Sequence, residues 1–267
     1  MMKLIDVMKN DFEEFHENRK IKRAKNFTEI TGMHVNHNEY PAYFFGDFNA
    51  NFVLVHLNPK QEDNKSDKYV GELKFTDFEE YFNFHQNFGN FRYSKFVSER
   101  SKSGFDSKQV RFIKPFNVID LDHEDDYVNL EKVIDKKLQL ELIPFGSDSF
   151  KTDLINPKIL KPYVDLLLDT ITQQKRDYII FCGSVFETLL KDYLVSIEGV
   201  TQKKDYKFKL LKGDGSTAKA NSRFSKILLD FNGHKIHAGI APSFPRQGLT
   251  GKLMEEYGRK CYELYNQ

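Results

Sequence analysis

Apolar residues recur along this chain with two different periods, and each period predicts an element. Near the amino end Leu4, Val7, Met8, Phe12 and Phe15 follow the three-to-four spacing of one helix face, predicting helix within the first 25 residues. A segment punctuated by Pro41 and Gly46 follows. The run FVLVHL at 52–57 is then almost wholly apolar, as a strand buried on both faces must be. It stops abruptly on Asn58-Pro59 and a charged tail. Thr76 with Glu79 forms a capping box that predicts a helical stretch towards Phe96, interrupted near Gly89. LQLELIP at 138–144 reads as a second buried strand and YIIFCG at 178–183 as a third. Asn156 before Pro157 is an N-cap with proline at the first helical position, opening a helix through Thr172. Ser184 with Glu187 forms another capping box, with helix expected through Leu194. Asn232-Gly233, between FSKILLDF and HKIHAGIA, is a hairpin signal. The Pro-rich loop APSFPRQG leads into a terminal helix ending near Tyr265.

Strands alternating with helices predict an α/β fold of three layers, α/β/α, with a central mostly parallel sheet. No internal repeat or long linker divides the chain, so residues 1–267 are expected to form a single domain. Residues 1–40 would be its N-terminal helical extension, and 199–233 a basic insertion or hairpin. Open sheets of this kind bind ligands beyond the carboxyl ends of their strands, which draws attention to the place where 52–57 ends.

Composition narrows the classes. The 267 residues are 40% hydrophobic and 30% charged, enough apolar material for a sizeable core. No apolar run approaches the roughly 18 residues of a membrane span, so no membrane association is expected. The N-terminal stretch carries acids and lacks the apolar core and cleavage site of a secretory signal. Two cysteines, Cys182 and Cys261, make neither a disulfide framework nor a four-cysteine cluster site, and a reduced, cytoplasmic location is expected. Net charge is only +1, but it is segregated: residues 92–114 hold seven Lys/Arg against two acids, 201–226 hold eight against two, and 120–131 hold six acids and no Lys/Arg. One reading is a basic groove opposite an acidic flank; the other is solvated loops. His34/His37 and His234/His237 have metal-like spacing, but the second pair falls on a predicted strand, where i and i+3 point to opposite faces. No metal is expected. GDGS at 213–216 lacks the Gly-Lys-Ser/Thr and helix of a phosphate loop, and DLDHEDD at 120–126 lacks the glycine and terminal Glu of a calcium loop.

Three segments stand in a fixed order: a strand ending in Asn-Pro at 52–59, strand-Gly-Ser-helix at 178–190, and a Pro-Ser loop opening a helix at 242–253. That order resembles the uracil-DNA glycosylase superfamily. The Asn-Pro form, and the Pro-Ser loop with Pro-Arg after it, are most like its single-strand-selective and mismatch-specific branches. FFGDFNANFVLVHLNP looks like the approach to the family's first motif, and ELIPFGSDSF like its second strand and base-recognition loop. IIFCGSVFETLL looks like the third strand and its helix, and APSFPRQGLTGKLMEEYG like the second motif and last helix. The resemblance implies a cofactor-free DNA-base N-glycosylase that hydrolyses the N-glycosidic bond of a damaged, uracil-type base. It makes Asn58 the water-positioning residue and Pro59 the shaper of its turn. An amide is a poor general base, so such a site should be slower than one built on Asp. The resemblance further puts Ser243 on a DNA phosphate, Arg246 within reach of a phosphate or the base, and Leu249, between Gly248 and Gly251, as a wedge in the base stack.

Two positions depart from the pattern. Ala241 stands where the second motif usually has His, and alanine donates nothing to a departing base. The base-reading Asn has no counterpart in LQLELIPFGS, where Glu141 and Ser147 are the polar candidates. Phe145, or Phe75 or Phe78, would stack a flipped base. Each residue also has a structural alternative: Asn58 as a turn residue, Glu141 as a solvent-facing or Lys-paired strand residue, Leu249 as the first core residue of the last helix. Two functions follow. One is a glycosylase; the other is a catalytically inactive nucleic-acid- or nucleotide-binding module on the same fold. DNA, single-stranded included, or a nucleotide is the expected partner, and chemistry on a free nucleotide is a third reading.

Overall fold

The computed structural model describes residues 3–59, 74–98, 100–148, 150–212, 215–244, 249 and 251–267. Nine strands occur among them: β1 (Phe44–Gly46), β2 (Phe52–His56), β3 (Leu138–Glu141), β4 (Tyr178–Cys182), β5 (Ser196–Ile197), β6 (Val200–Thr201), β7 (Lys203–Leu211), β8 (Thr217–Phe231) and β9 (His234–Ala241). All but the small β5–β6 pair join one sheet in the order β1-β3-β2-β4-β9-β8-β7. The four central strands, β3, β2, β4 and β9, are mutually parallel. Antiparallel strands close the sheet on either side, β1 against β3 and the β7–β8 pair against β9. The sheet is therefore mixed, with a parallel centre. The expected parallel character holds for β3, β2, β4 and β9; β8 is antiparallel to β9 because their two-residue turn reverses the chain, and β1 adds an antiparallel edge against β3.

The helices are α1 (Leu4–Asn18), α2 (Lys22–Thr31), α3 (Phe78–Gln86), α4 (Phe88–Tyr93), α5 (Gly104–Ile113), α6 (Asp126–Asp135), α7 (Pro157–Thr172), the short α8 (Phe186–Leu189) and α9 (Lys252–Tyr265). They cover both faces of the sheet. Val53 and Val55 of β2, with Ile179 and Phe181 of β4, face one apolar cluster shared with α1, α2, α3 and α7. Phe52 and Leu54, with Ile180 and Cys182, face a second cluster built from α5, α6 and α9. This alternation is the period of two that a strand imposes. α5 and α9 approach closely because Gly258 has no side chain: a Cβ there would stand 2.2 Å from the Phe112 carbonyl oxygen.

Local chemistry explains the boundaries. Asn156 caps α7 by accepting from the Lys158 N–H, and Pro157 follows it, as the sequence indicates. Asn232 and Gly233 both take positive φ, 53° and 85°, the requirement of a type I′ turn, and they join β8 to β9. Other boundaries differ from expectation. The first helical stretch breaks at Arg19, whose φ of 55° separates α1 from α2. Asp77, not Thr76, caps α3, while Thr76 bonds the Glu80 carboxylate, and the break before α4 falls at Asn87 rather than Gly89. Ser184 makes no cap: α8 ends at Leu189 and only a 3-10 turn, Lys191–Tyr193, follows. Asp125, within the acidic run 120–126, caps α6.

The segregated charge also resolves in space. The basic stretch 92–114 meets the acidic stretch 120–126 directly, Lys102 pairing with Asp126 and Lys114 with Asp122. At these two positions the basic and acidic stretches lie side by side and not on opposite flanks. The 201–226 stretch is the β7–β8 hairpin, in which Lys203 pairs with Glu187 and Asp205 while Lys207 and Arg223 have no carboxylate within ion-pair distance among the described residues.

Candidate functional site at the carboxyl end of the parallel strands

Asn58 lies two residues beyond β2, half-buried, where the central strands end. Its amide is held in one orientation. Nδ2 donates to the Pro59 carbonyl at 3.0 Å and to the Ser147 hydroxyl at 2.7 Å. A carbonyl oxygen only accepts, so the Pro59 contact fixes which end of the amide is nitrogen. The Asn58 Oδ1 is left without a hydrogen bond among the described residues. Ser147 is itself anchored, since its backbone N–H donates to the Pro59 carbonyl at 3.1 Å. The 142–147 segment runs beside the end of β2 through Leu142 N–H to His56 O and Ile143 N–H to Leu57 O, both 2.9 Å. The sequence places Asn58, Pro59 and Ser147 far apart, and the fold brings them together.

Below Asn58, on the sheet face that packs against α5, stands His56. It is buried between the rings of Phe105 from α5 and Phe244 from the loop after β9, 5.2 and 5.7 Å between centroids, both edge-on. Burial, and next the charge of Lys137, holds its imidazole down at about 3, so it is neutral at physiological pH. Its Nε2 has no partner among the described residues. In register with His56 on β3 is Glu141, also buried. One carboxyl oxygen accepts from Gln139 Nε2 at 2.6 Å, and the other is unpartnered. Burial raises this carboxyl to about 8, so it is largely protonated near neutral pH.

Gln139 and Glu141 share one face of β3, and Lys137, just before the strand, donates through Nζ to Gln139 Oε1 at 3.3 Å. Gln109 of α5 donates to the same oxygen at 3.3 Å and leaves its own Oε1 unpartnered. Three buried, unpartnered polar atoms thus gather in one layer of the molecule. Such atoms are costly unless something satisfies them.

The remaining candidates fall in several places. Phe145 is fully buried in the larger apolar cluster, packed with the α7 side of the sheet. Phe75 is buried in that cluster too, and Phe78 is half-buried against it. Ser243 is half-buried beyond β9, next to Phe244, whose carbonyl accepts from Lys108 of α5 at 3.1 Å. Leu249 is half-buried against the second cluster. Arg246 lies outside the described residues. Ala241 is wholly buried, and its carbonyl accepts from the Gly183 N–H at 2.7 Å, tying the ends of β4 and β9 together. His237 is exposed on β9. Among the described residues no three His, Cys, Asp or Glu side chains converge as a metal site requires, and no helix is long and apolar enough to cross a membrane.

His56, Phe105 and Phe244 have no part in the sequence reading. The signal for His56 was present: it sits two residues before Asn58 on a strand, hence on the same face. Phe105 and Phe244 carried no such signal, because only tertiary packing seats them against that imidazole. No family model, curated protein or solved structure matches this chain.

Proposed function

We propose that this protein is a DNA-base N-glycosylase-like hydrolase, with Asn58 as the water-positioning residue. The observation that carries the reading is the fixed amide at the carboxyl end of β2. Both Nδ2 hydrogens are engaged by Pro59 and Ser147, so among the described residues the free group of the Asn58 amide is its acceptor oxygen. An acceptor held at a strand end orients a water without needing to ionise. That suits attack on a sugar carbon that turns cation-like as its base departs.

His56 supports the same reading from a direction that the motifs did not supply. Position 241 offers no side-chain donor, whereas His56 is a neutral imidazole with an unpartnered ring nitrogen on the face below Asn58. In the tautomer with hydrogen on Nε2, this neutral imidazole would donate a hydrogen bond to a departing anion. Glu141 beside it, with one free carboxyl oxygen, is the candidate for reading the base. Buried Ala241 favours the second reading, a nucleic-acid- or nucleotide-binding module on the same fold that lacks catalysis.

The test is cleavage of single- and double-stranded oligonucleotides carrying uracil, hypoxanthine or an alkylated base, with native protein and Asn58→Ala. Abasic product from the native protein, reduced at least 100-fold by the substitution, is the expected result. Absence of product on every substrate, with oligonucleotide binding retained, moves the function to the binding module.

A further inference from the structure

The β7–β8 hairpin reaches past the edge of the sheet. β8 pairs with β9 only from Ser225 onward, Ser225 opposite Ile240, while its residues 217–224 pair with β7 alone. Because β9 ends at the carboxyl edge, this free part of the hairpin extends beyond the same edge that carries Asn58. Eight extended residues make an arm of about 25 Å.

Its two faces differ. Tyr206, Phe208 and Leu210 turn towards α9: Phe208 stacks on Tyr257 at 6.0 Å, and Leu210 is fully buried in the second cluster. The Tyr257 hydroxyl donates to the Arg223 backbone carbonyl at 2.8 Å and pins the arm in place. The opposite face carries Lys207 directly across from Arg223 in the strand register. Like charges set opposite each other on antiparallel strands repel. Both side chains are exposed, and among the described residues neither has a carboxylate within ion-pair distance.

The two carboxylates nearby are already engaged. Lys203 bonds Glu187 and Asp205 at 3.1 Å each, and the Ser225 hydroxyl donates to Asp205. Arg223 acts on Asp205 only through space, helping to lower its acidity range below the usual carboxylate value. Between these groups lies a pocket of about 120 Å³, lined by Lys207, Arg223, Ser225, Ser184 and Pro242 and also by Glu187 and Asp205, the two carboxylates that Lys203 engages. It opens beside the loop that holds Ser243. The free charge facing it is cationic, hydroxyls flank it, and its volume suits one tetrahedral anion.

We propose that Lys207 and Arg223 form a phosphate-binding subsite that grips the backbone of a single nucleic-acid strand led along the hairpin arm. This rests on the proposed nucleic-acid reading and deepens it, placing the grip on the hairpin. Lys209, one strand repeat further out on the same face, would continue the track. A single strand is the occupant of choice because the cationic pair sits in a pocket of one-phosphate size beside a walled edge, where one backbone can enter. The main-chain bond from Tyr257 does not depend on the Arg223 side chain, so the arm survives its substitution.

The experiment is fluorescence anisotropy with a labelled, unmodified single-stranded oligonucleotide over a range of salt concentration. It compares the native protein with the Lys207→Gln/Arg223→Gln double variant, the charge-conserving Arg223→Lys, and Lys175→Gln at the opposite sheet edge. Each single-strand phosphate contact contributes about 0.7 to the slope of log K against log salt. The double variant empties this one-phosphate subsite, so it is expected to lose about 0.7 from that slope and bind roughly tenfold more weakly near physiological salt, with Arg223→Lys and Lys175→Gln close to native. An unchanged slope in the double variant overturns the proposal, as does native protein that binds no strand. A variant that loses competition by a nucleoside monophosphate but keeps its oligonucleotide slope would assign the pocket to free nucleotides, also against the proposal. The oligonucleotide carries no scissile base, so an inactive Asn58 site leaves the result standing. Active cleavage with an unchanged slope would sink this proposal alone.

Discussion

At the scale of single residues, the site is governed by how buried polar groups find partners. Ser147 holds the Asn58 amide through one hydrogen bond of 2.7 Å. Removing one such bond costs about 0.5–1.5 kcal/mol, so under the proposed glycosylase function Ser147→Ala should slow single-turnover cleavage about three- to tenfold while substrate affinity changes little. A rate equal to native would show that Pro59 alone fixes the amide. Glu141 makes a separate prediction about pH. Its carboxyl titrates near 8 when folded against 4.5 as the ordinary value, so between these the folded protein keeps a proton that the unfolded chain releases. Stability attached to this group is complete below 4.5 and falls as pH rises to about 8. Glu141→Gln should therefore gain on the native protein as pH rises through that window, by a few kcal/mol at its upper end. Urea midpoints of both proteins, compared pH by pH, measure the difference. His56 works in the opposite sense between about 3 and 6.5, adding stability as pH rises. It is present in both proteins, so it cancels from the comparison. Parallel profiles for the two would place the Glu141 carboxyl in contact with water.

At the scale of elements, close approach and turn geometry set the fold. α9 can lie against α5 only because position 258 is glycine. Gly258→Ala forces its Cβ onto the Phe112 carbonyl, and backbone on both sides must move; overpacking of this kind costs about 1–3 kcal/mol. A fall in melting temperature of several degrees is expected, and a melting temperature equal to native would mean the two helices separate freely. The elements legible in the sequence were those with a local cause: the α7 cap, the Asn232-Gly233 turn, and the apolar runs of β2, β3 and β4. Those that were missed were short or hidden by charge: β1 is three residues long, and α5 and α6, although capped by Ser103 and Asp125, lie in or against strongly charged stretches. Ser184 and Glu187 have capping-box spacing, yet tertiary packing ends that helix after one turn.

At the scale of the whole molecule, the arrangement of charge and thiols differs from its arrangement along the chain. Both cysteines are buried in the layer of α5, α6 and α9, and burial raises both thiols. A thiol reagent should therefore leave the native protein unmodified and react with both cysteines together as denaturant unfolds it. Reaction of one thiol in the native state would show that layer opening independently. Lys102 and Lys114 of the basic stretch 92–114 pair with Asp126 and Asp122 of the acidic stretch, while the hairpin carries Lys207 across from Arg223 at the carboxyl edge.

By itself the sequence determined the alternation of strands and helices, the order of the central strands' motifs, and the abrupt strand end at Asn58-Pro59, because each is written in period or local turn chemistry. Only the tertiary structure decided which residues meet there. Ser147 reaches Asn58 across 89 positions because β3 lies beside β2. His56 faces Phe244 because β9 enters the sheet next to β4. The ion pairs of Lys102 and Lys114, and the facing of Lys207 and Arg223, likewise depend on which segments become neighbours, and neither periodicity nor composition encodes adjacency between segments so far apart.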